Sequence, residues 1–533
     1  MVETIQLVVA LLAVAAAVAF AAGRLKVPAA ILLVIAGVIL ALIPGLPTLK
    51  LAPELVLLVV LPPFIYSSSV AMSWREFEFN LRPIALLAVG CVVFTAAAAA
   101  AATHWLLNFS WPVAFVLGAI VSPPDAVAPL SIARRMRLPR RLLVVLEGEG
   151  LANDATALIL YRFAVAAVAF GVFSAPAAVE TFAAIVVGEI LWGVAVGWFM
   201  LRLRRFVGDP RIEITLSLLT PYLAYWPPTW LGGSGVLATV VTGLYISWNG
   251  LRLISAATRL QGIFFWDLFV YLLEGLVFLV TGLQARALAE SLRSYSSHEL
   301  VAASLVVCLV IIVARFVWMF PATYLPRWLS PALARRDPSP PWQYPFVLAF
   351  TGVRGIVSLA AALAIPLLTS SGQPFPERDL ILFLTFVVIL VTLVGQGLLL
   401  PLVIRWLGLE NAGQREQVED RRAEFTARRQ AVEASLARID ELEKERRLEL
   451  DVLERLRAQQ RERLRRVANR AQDDGDHRAA QELHDQIEFG LIEEERRRVN
   501  ELYQRGELKD EARRRIEREL DLREAQLVSW RGE

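Results

Sequence analysis

Leu146-Glu147-Gly148-Glu149-Gly150-Leu151-Ala152-Asn153-Asp154-Ala155-Thr156-Ala157-Leu158 heads a segment that otherwise runs apolar, with Arg162 the one exception. Three carboxylates and an amide therefore sit in a stretch built for a bilayer. Ionisable groups are costly in that setting, so the default reading is an ion or proton site. The bland alternative, a helix end with its acids in water, suits Glu147 but not Asp154. On a helix, Glu149 and Asn153 share a face one turn apart, and Asp154 lies about 100° further round. A carboxylate beside an amide, with a second carboxylate turned toward a neighbouring helix, can hold and release a cation.

Outward from this stretch the chain is 56% hydrophobic and only 20% charged, with a mean hydropathy of +0.52. That composition specifies a polytopic membrane protein, and its long apolar runs, read as helices, make the expected fold all-α. The net charge of +3 averages two unlike parts. Residues 411–533 hold 28 Lys+Arg and 31 Asp+Glu, which leaves 26 and 20 for the first 410. We therefore divide the chain into a transmembrane domain, 1–408, and a charged cytoplasmic helical tail, 409–533. Cys91 and Cys308 fall in apolar runs and argue for neither a disulfide framework nor a thiolate metal cluster. The first apolar run carries Glu3 and no basic residue before Arg24. A secretory leader wants its positive charge ahead of the run, so this reads as a retained span.

Thirteen apolar runs follow one another, near 4–22, 27–43, 53–71, 83–106, 111–133, 142–172, 178–201, 212–231, 234–250, 260–283, 299–321, 344–368 and 379–405. Arginine collects at the ends of the odd runs: Arg24, Arg75 and Arg82, Arg134 to Arg141, Arg202 to Arg211, Arg252 and Arg259, Arg327 to Arg336. The opposite loops offer only Lys50, Arg286, Arg293 and Arg378. The positive-inside bias then puts the amino terminus outside and the tail in the cytoplasm of a cell with this protein in its plasma or inner membrane.

Two runs carry unusual punctuation. Ser122-Pro123-Pro124-Asp125-Ala126-Val127-Ala128-Pro129 sets three prolines and a carboxylate near mid-depth, and proline cannot continue a regular helix. Thr351-Gly352-Val353-Arg354-Gly355-Ile356-Val357-Ser358 sets two glycines around an arginine at similar depth. Breaks in lipid are tolerated only where freed backbone is buried in protein or lines a wet cavity. Interrupted helices in both halves of a transporter point to a midplane site.

These residues resemble a family. Ser122 to Ala128 and Glu147 to Asp154 are similar to the paired motifs of the monovalent cation/proton antiporters, which include bacterial sodium/proton antiporters and animal sodium/hydrogen exchangers. Ser234-Gly235-Val236-Leu237-Ala238, Phe264 to Gln284 and Gly352-Val353-Arg354-Gly355 resemble it too. The resemblance implies about thirteen transmembrane helices in two inverted repeats, two of them broken and crossing. It implies a core near 83–173 and 299–405, a dimer or scaffold part near 1–82 and 178–290, and a homodimer. The function implied is exchange of Na+, or Li+ or K+, for H+ by alternating access. Asp154 would carry the ion or proton, with Asp125, Asn153 and the residue 124 carbonyl completing a Na+ site. Asn153, where electrogenic relatives have a second aspartate, implies electroneutral one-for-one exchange. Glu149 would be held by an arginine, Arg315 or else Arg354. Pro124 departs from the threonine of many members and Gly150 from the serine of some, which bears on ion preference. Glu274 is a further titratable candidate, and Ser122 and Gly150 are peripheral ones.

The chemistry stands beside the resemblance. Sodium prefers oxygen ligands, and carboxylate, amide and broken-helix carbonyls supply them. A nearby cation keeps a buried carboxylate charged, whereas an isolated one tends to protonate. An arginine on Glu149 would thus leave Asp154 free to alternate between proton and metal ion.

Other classes fit less well. Gly233-Ser234-Gly235 looks like a nucleophile turn, but a serine hydrolase needs a base in reach. His104 and His298 fall at span ends and His477 and His484 in the tail. No His-Glu-x-x-His occurs, so zinc proteolysis fails, and no enzyme activity or organic cofactor is expected. A cation channel, or a transporter of another substrate, is the alternative. The tail has no proline, and Val432, Leu436, Ile439 and Leu442 recur at helical steps, with breaks near Asp473-Asp474-Gly475-Asp476 and Gly506. Its mixed charge argues against a nucleic-acid partner.

Overall fold

The computed structural model describes residues 2–44, 51–171, 174–250, 253–292, 295–370, 372–444, 450–471, 475–505 and 507–531. Lys50, Arg252, Arg293, Asp473, Asp474 and Gly506 lie outside them.

Every apolar run becomes a helix or an interrupted pair of helices. In chain order these are α1 (Val2–Leu25), α2 (Ala29–Ala41), α3 (Pro53–Ala71), α4 (Leu81–Leu107), α5a (Trp111–Val121) and α5b (Val127–Arg135), and α6 (Arg140–Phe170). Then come α7 (Ala175–Arg204), α8 (Pro210–Trp230), α9 (Val236–Gly250), α10 (Ala256–Leu283) and α11 (Ser297–Leu329). The set closes with α12a (Gln343–Phe350), α12b (Ile356–Leu363) and α13 (Arg378–Trp406). Among the described residues eight helices are long and apolar enough to cross a bilayer, and two shorter ones, α2 and α5a, are also apolar. No strand forms among the described residues.

α11 shows how these helices meet two apolar surroundings at once. Val301, Leu305, Leu309, Val313 and Val317 are exposed along one stripe, as a lipid-facing surface requires. Ala303, Val307, Ile311 and Arg315 are buried on the other side. Small residues let backbones approach: α2 and α10 meet where Gly37 and Gly282 face each other, and a Cβ on either would strike the other helix's backbone.

Both punctuated runs break. α5 stops at Val121 and resumes at Val127, because Pro123 and Pro124 have no N–H to continue the ladder. α12 stops at Phe350 and resumes at Ile356. A third irregularity lies in α13, where Val391–Gln396 widens to π-helical turns. Such turns are frequently found at functional positions.

The chain divides into two compact units, Met1–Gln414 and Arg415–Glu533. The division falls inside α14 (Leu409–Lys444). The second unit continues with α15 (Leu450–Ala471), α16 (Gly475–Gln504) and α17 (Asp510–Arg531). Arg496 of α16 reaches Asp521 and Glu524 of α17, and Arg523 returns to Glu495.

Candidate functional site

The two breaks touch. The Asp125 N–H donates to the Val353 carbonyl at 2.7 Å, so each interruption satisfies backbone that the other has freed. The Asp125 side chain then accepts from the Val127 N–H at 2.9 Å and starts α5b. Gly355 lies against this carboxylate, and any Cβ there would occupy the space of the Asp125 oxygens. On the other side of the crossing, the Arg354 N–H donates to Thr392 Oγ1 at 2.9 Å. The widened turn of α13 holds that threonine, whose hydroxyl donates to the Val388 carbonyl.

α6 runs past the crossing and is tied to it twice. Asn153 donates its amide to the Pro124 carbonyl at 2.6 Å. Glu149 takes both forks of Arg315, at 2.5 and 2.8 Å, with each side chain about 2% exposed. Arg315 Nε donates in turn to the Leu348 carbonyl in α12a at 3.0 Å. The pairs Asn153–Pro124, Glu149–Arg315, Arg315–Leu348 and Val353–Asp125 thereby close a circuit through α6, α11, α12 and α5. Breaking a buried ion pair of this kind costs about 3–5 kcal/mol.

Between the crossing, α6, α3 and α10 lies a cavity of about 130 Å³. That volume holds several waters or a partly hydrated ion. Its polar lining is Asp125, Asp154, Glu147, Ser358 and Ser68, with the Pro124 and Gly150 backbone. The facing wall of Val56, Leu61, Phe64, Val277 and Phe278 is apolar. Among the described residues, no Lys, Arg or His lines it. Glu147 is paired with Arg134 from outside, at 3.2 Å. Asp125 and Asp154 therefore face the cavity as carboxylates with no cationic side chain on its walls.

The residues singled out in the sequence take distinct places. Asp154, Asp125, Pro124 and Gly150 line the cavity. Asn153 does not: it is buried, holds the Pro124 carbonyl, and leaves its own Oδ1 without a hydrogen bond. Ser122 donates to the Ala119 carbonyl and stays within α5a's last turn. Glu274 lines a separate pocket of about 50 Å³ between α1, α2 and α10. Arg354 is buried near Arg315 but does not pair with Glu149, and its Nε and Nη1 find no hydrogen-bond acceptor. At Gly150 a Cβ would press on the Ala126 methyl, so a hydroxyl there would need the crossing to shift.

Glu147 and Ser358 belong to the cavity although the sequence did not single them out as ligands. Their signals were present. Glu147 precedes Asp154 by two helical turns and shares its face, and Ser358 lies one turn beyond Gly355. The Gly233-Ser234-Gly235 turn is explained as well. Buried Glu189 of α7 accepts from Ser234, Gly235, Leu237 and Ala238 N–H groups and caps α9. It is a helix anchor, not a nucleophile site.

The sequence profile of the sodium/hydrogen exchanger transmembrane family matches residues 8–406. The chain belongs to the sodium/hydrogen exchanger family. It is 34% identical over 510 residues to an uncharacterized Na+/H+ exchanger of Mycobacterium tuberculosis, covering 95% of this chain and 93% of that one. It is 32% identical to a sodium, potassium, lithium and rubidium/H+ antiporter of Bacillus pumilus, covering 71% of this exchanger and 58% of that protein. The fold matches that of the sodium proton antiporter MjNhaP1 from Methanocaldococcus jannaschii, with a TM-score of 0.61 and 19% identity over 76% of this chain and 99% of that one. The exchanger is thus a multi-pass membrane transporter that exchanges sodium for protons.

Proposed function

We propose that Asp154 carries a monovalent cation and a proton in turn, with Asp125 as the second carboxylate of the ion site. The observation that carries this is the cavity lined by both acids and by no basic side chain. Such a cavity attracts cations and gives a hard ion oxygen ligands. One carboxylate shared between two cationic species makes them exclusive, and exclusivity is what couples their fluxes. Asn153 is uncharged and engaged with backbone, which supports electroneutral one-for-one exchange.

The circuit of buried bonds supports alternating access by movement of α5, α6, α11 and α12 as one body. Separating any two of its members breaks a buried polar bond. Sliding along the apolar wall of α3 and α10 breaks none of the circuit's own bonds. We place the Arg134 to Arg141 cluster and the tail in the cytoplasm and the amino terminus outside, by the arginine bias. The inverted repeats, the thirteen crossings and a homodimer belong to the same reading, with the scaffold near 1–82 and 178–290 providing the dimer contact.

The test is proton flux in proteoliposomes driven in turn by Na+, Li+ and K+. Coupled proton release that is unaffected by a clamped membrane voltage supports the reading. Cation flux without proton counterflow would identify a channel instead.

A further inference from the structure

Away from the ion cavity, at the arginine-rich ends of the helices, three guanidinium groups converge on one carboxylate. Asp337, in the link between α11 and α12a, accepts from Arg82 of α4 at 2.7 Å and from Arg327 of α11 at 2.8 Å on one oxygen. Arg141 of α6 stands 2.8 Å from the other oxygen. Arg327 is fully engaged, because Nε also donates to the Asp337 carbonyl and Nη1 to that of Thr323. Arg82 is not: its Nη1 is shielded from solvent and has no acceptor. Three cations against one anion leave two positive charges, and among the described residues no carboxylate lines the cleft they border.

That cleft, of about 50 Å³, runs between α4, α6, α11 and α12a. Arg82, Arg141 and Arg327 occupy it together with Leu86, Leu142, Met319 and Leu348. A structural ion-pair cluster would balance its charge and saturate its donors. This one does neither, and its donors adjoin an apolar groove.

We propose that the cleft binds an anionic phospholipid, with the phosphate taken by Arg82 and Arg141 and an acyl chain laid along the part-exposed Pro83, Leu86 and Ala322. Guanidinium forks match phosphate oxygens in charge and geometry. Basic pockets between helices at the membrane surface suit lipid head groups. The apolar wall selects a lipid over a soluble phosphate, which has nothing to lay against it. A bound lipid would touch four helices and brace them at one end, since Leu348 lines the cleft while its carbonyl holds Arg315.

The experiment is thermal unfolding of the delipidated full chain in a neutral detergent. The additions are phosphatidylglycerol, phosphatidylcholine with matched chains, or inorganic phosphate. Phosphatidylglycerol should raise the Tm and the other two should not. Arg141→Gln should keep the lipid-free Tm and need roughly tenfold more phosphatidylglycerol for half the effect, the loss expected for a charge-assisted hydrogen bond. If that variant unfolds in detergent, Arg82→Lys keeps the charge, loses the fork and should show the same weakened response. An equal rise with phosphatidylcholine or with inorganic phosphate would overturn the proposal. So would a folded variant that responds to phosphatidylglycerol as wild type does.

Discussion

Asn153 gives its amide to the Pro124 carbonyl at 2.6 Å, while Asp154, the next residue, faces the ion cavity. Two adjacent polar side chains on α6 thus do different things, one fastening the broken helix and the other lining the cavity proposed to hold the ion.

Asn153→Asp tests the fastening. An ionised aspartate cannot donate to a carbonyl, so the variant should hold the crossing only while protonated. We expect its thermal stability to fall as pH rises, by about 1–3 kcal/mol across the titration, the cost of an unsatisfied buried partner. A variant whose stability tracks wild type at every pH would show that the bond is dispensable. Whether the added carboxylate also makes transport voltage-sensitive is read in the same liposomes.

Asp154→Asn tests the carrier. The side chain keeps its shape but cannot lose a proton, so exchange should vanish in a protein that still folds. If Asp154 carries both in turn, as proposed, cation and proton compete in the wild type. Where Asp154 is mostly protonated, the apparent cation affinity should weaken about tenfold per pH unit, or about 1.4 kcal/mol. Folded Asp154→Asn protein exchanging at the wild-type rate would sink the mechanism.

The arginines should separate by stability. Arg315→Ala leaves Glu149 buried and unpaired and should cost about 3–5 kcal/mol. Arg354→Ala removes a buried cation with unmet donors and should cost less. Unfolding temperatures of the two purified variants in one detergent decide it, and a larger loss at Arg354 would contradict the ranking.

Gly355→Ala should be worse than its single methyl suggests. The new Cβ would displace the Asp125 carboxylate, so transport should be lost, with overpacking of about 1–3 kcal/mol. Gly23→Ala meets open space and is the matched control. Equal activity of the two variants would show that Asp125 can move without consequence.

Much of this was legible in the chain. Prolines 123 and 124, and the glycines around Arg354, mark the breaks because their effect on helix backbone is local. Asp154 stands out because acids are rare in apolar runs. What the sequence left open depends on distance in space. Nothing local says that Asn153 would meet a backbone carbonyl 29 positions earlier, or which arginine would reach Glu149. Glu274 shows the same limit: an acid in an apolar run reads as a site residue, but its helix turns it into a separate pocket. The turns of α13 that carry Thr392 to the crossing leave no proline or glycine signature at the threonine itself.

The circuit through α5, α6, α11 and α12 has no free end. If one of its four links is cut, the other three still fix where the helices stand. A single substitution should therefore loosen the assembly, and a second cut in the same loop should cost more than the first, a non-additivity that double-mutant cycles can measure. In mechanical terms the core is a truss with one redundant member, and in the proposed movement the apolar wall of α3 and α10 serves as its bearing.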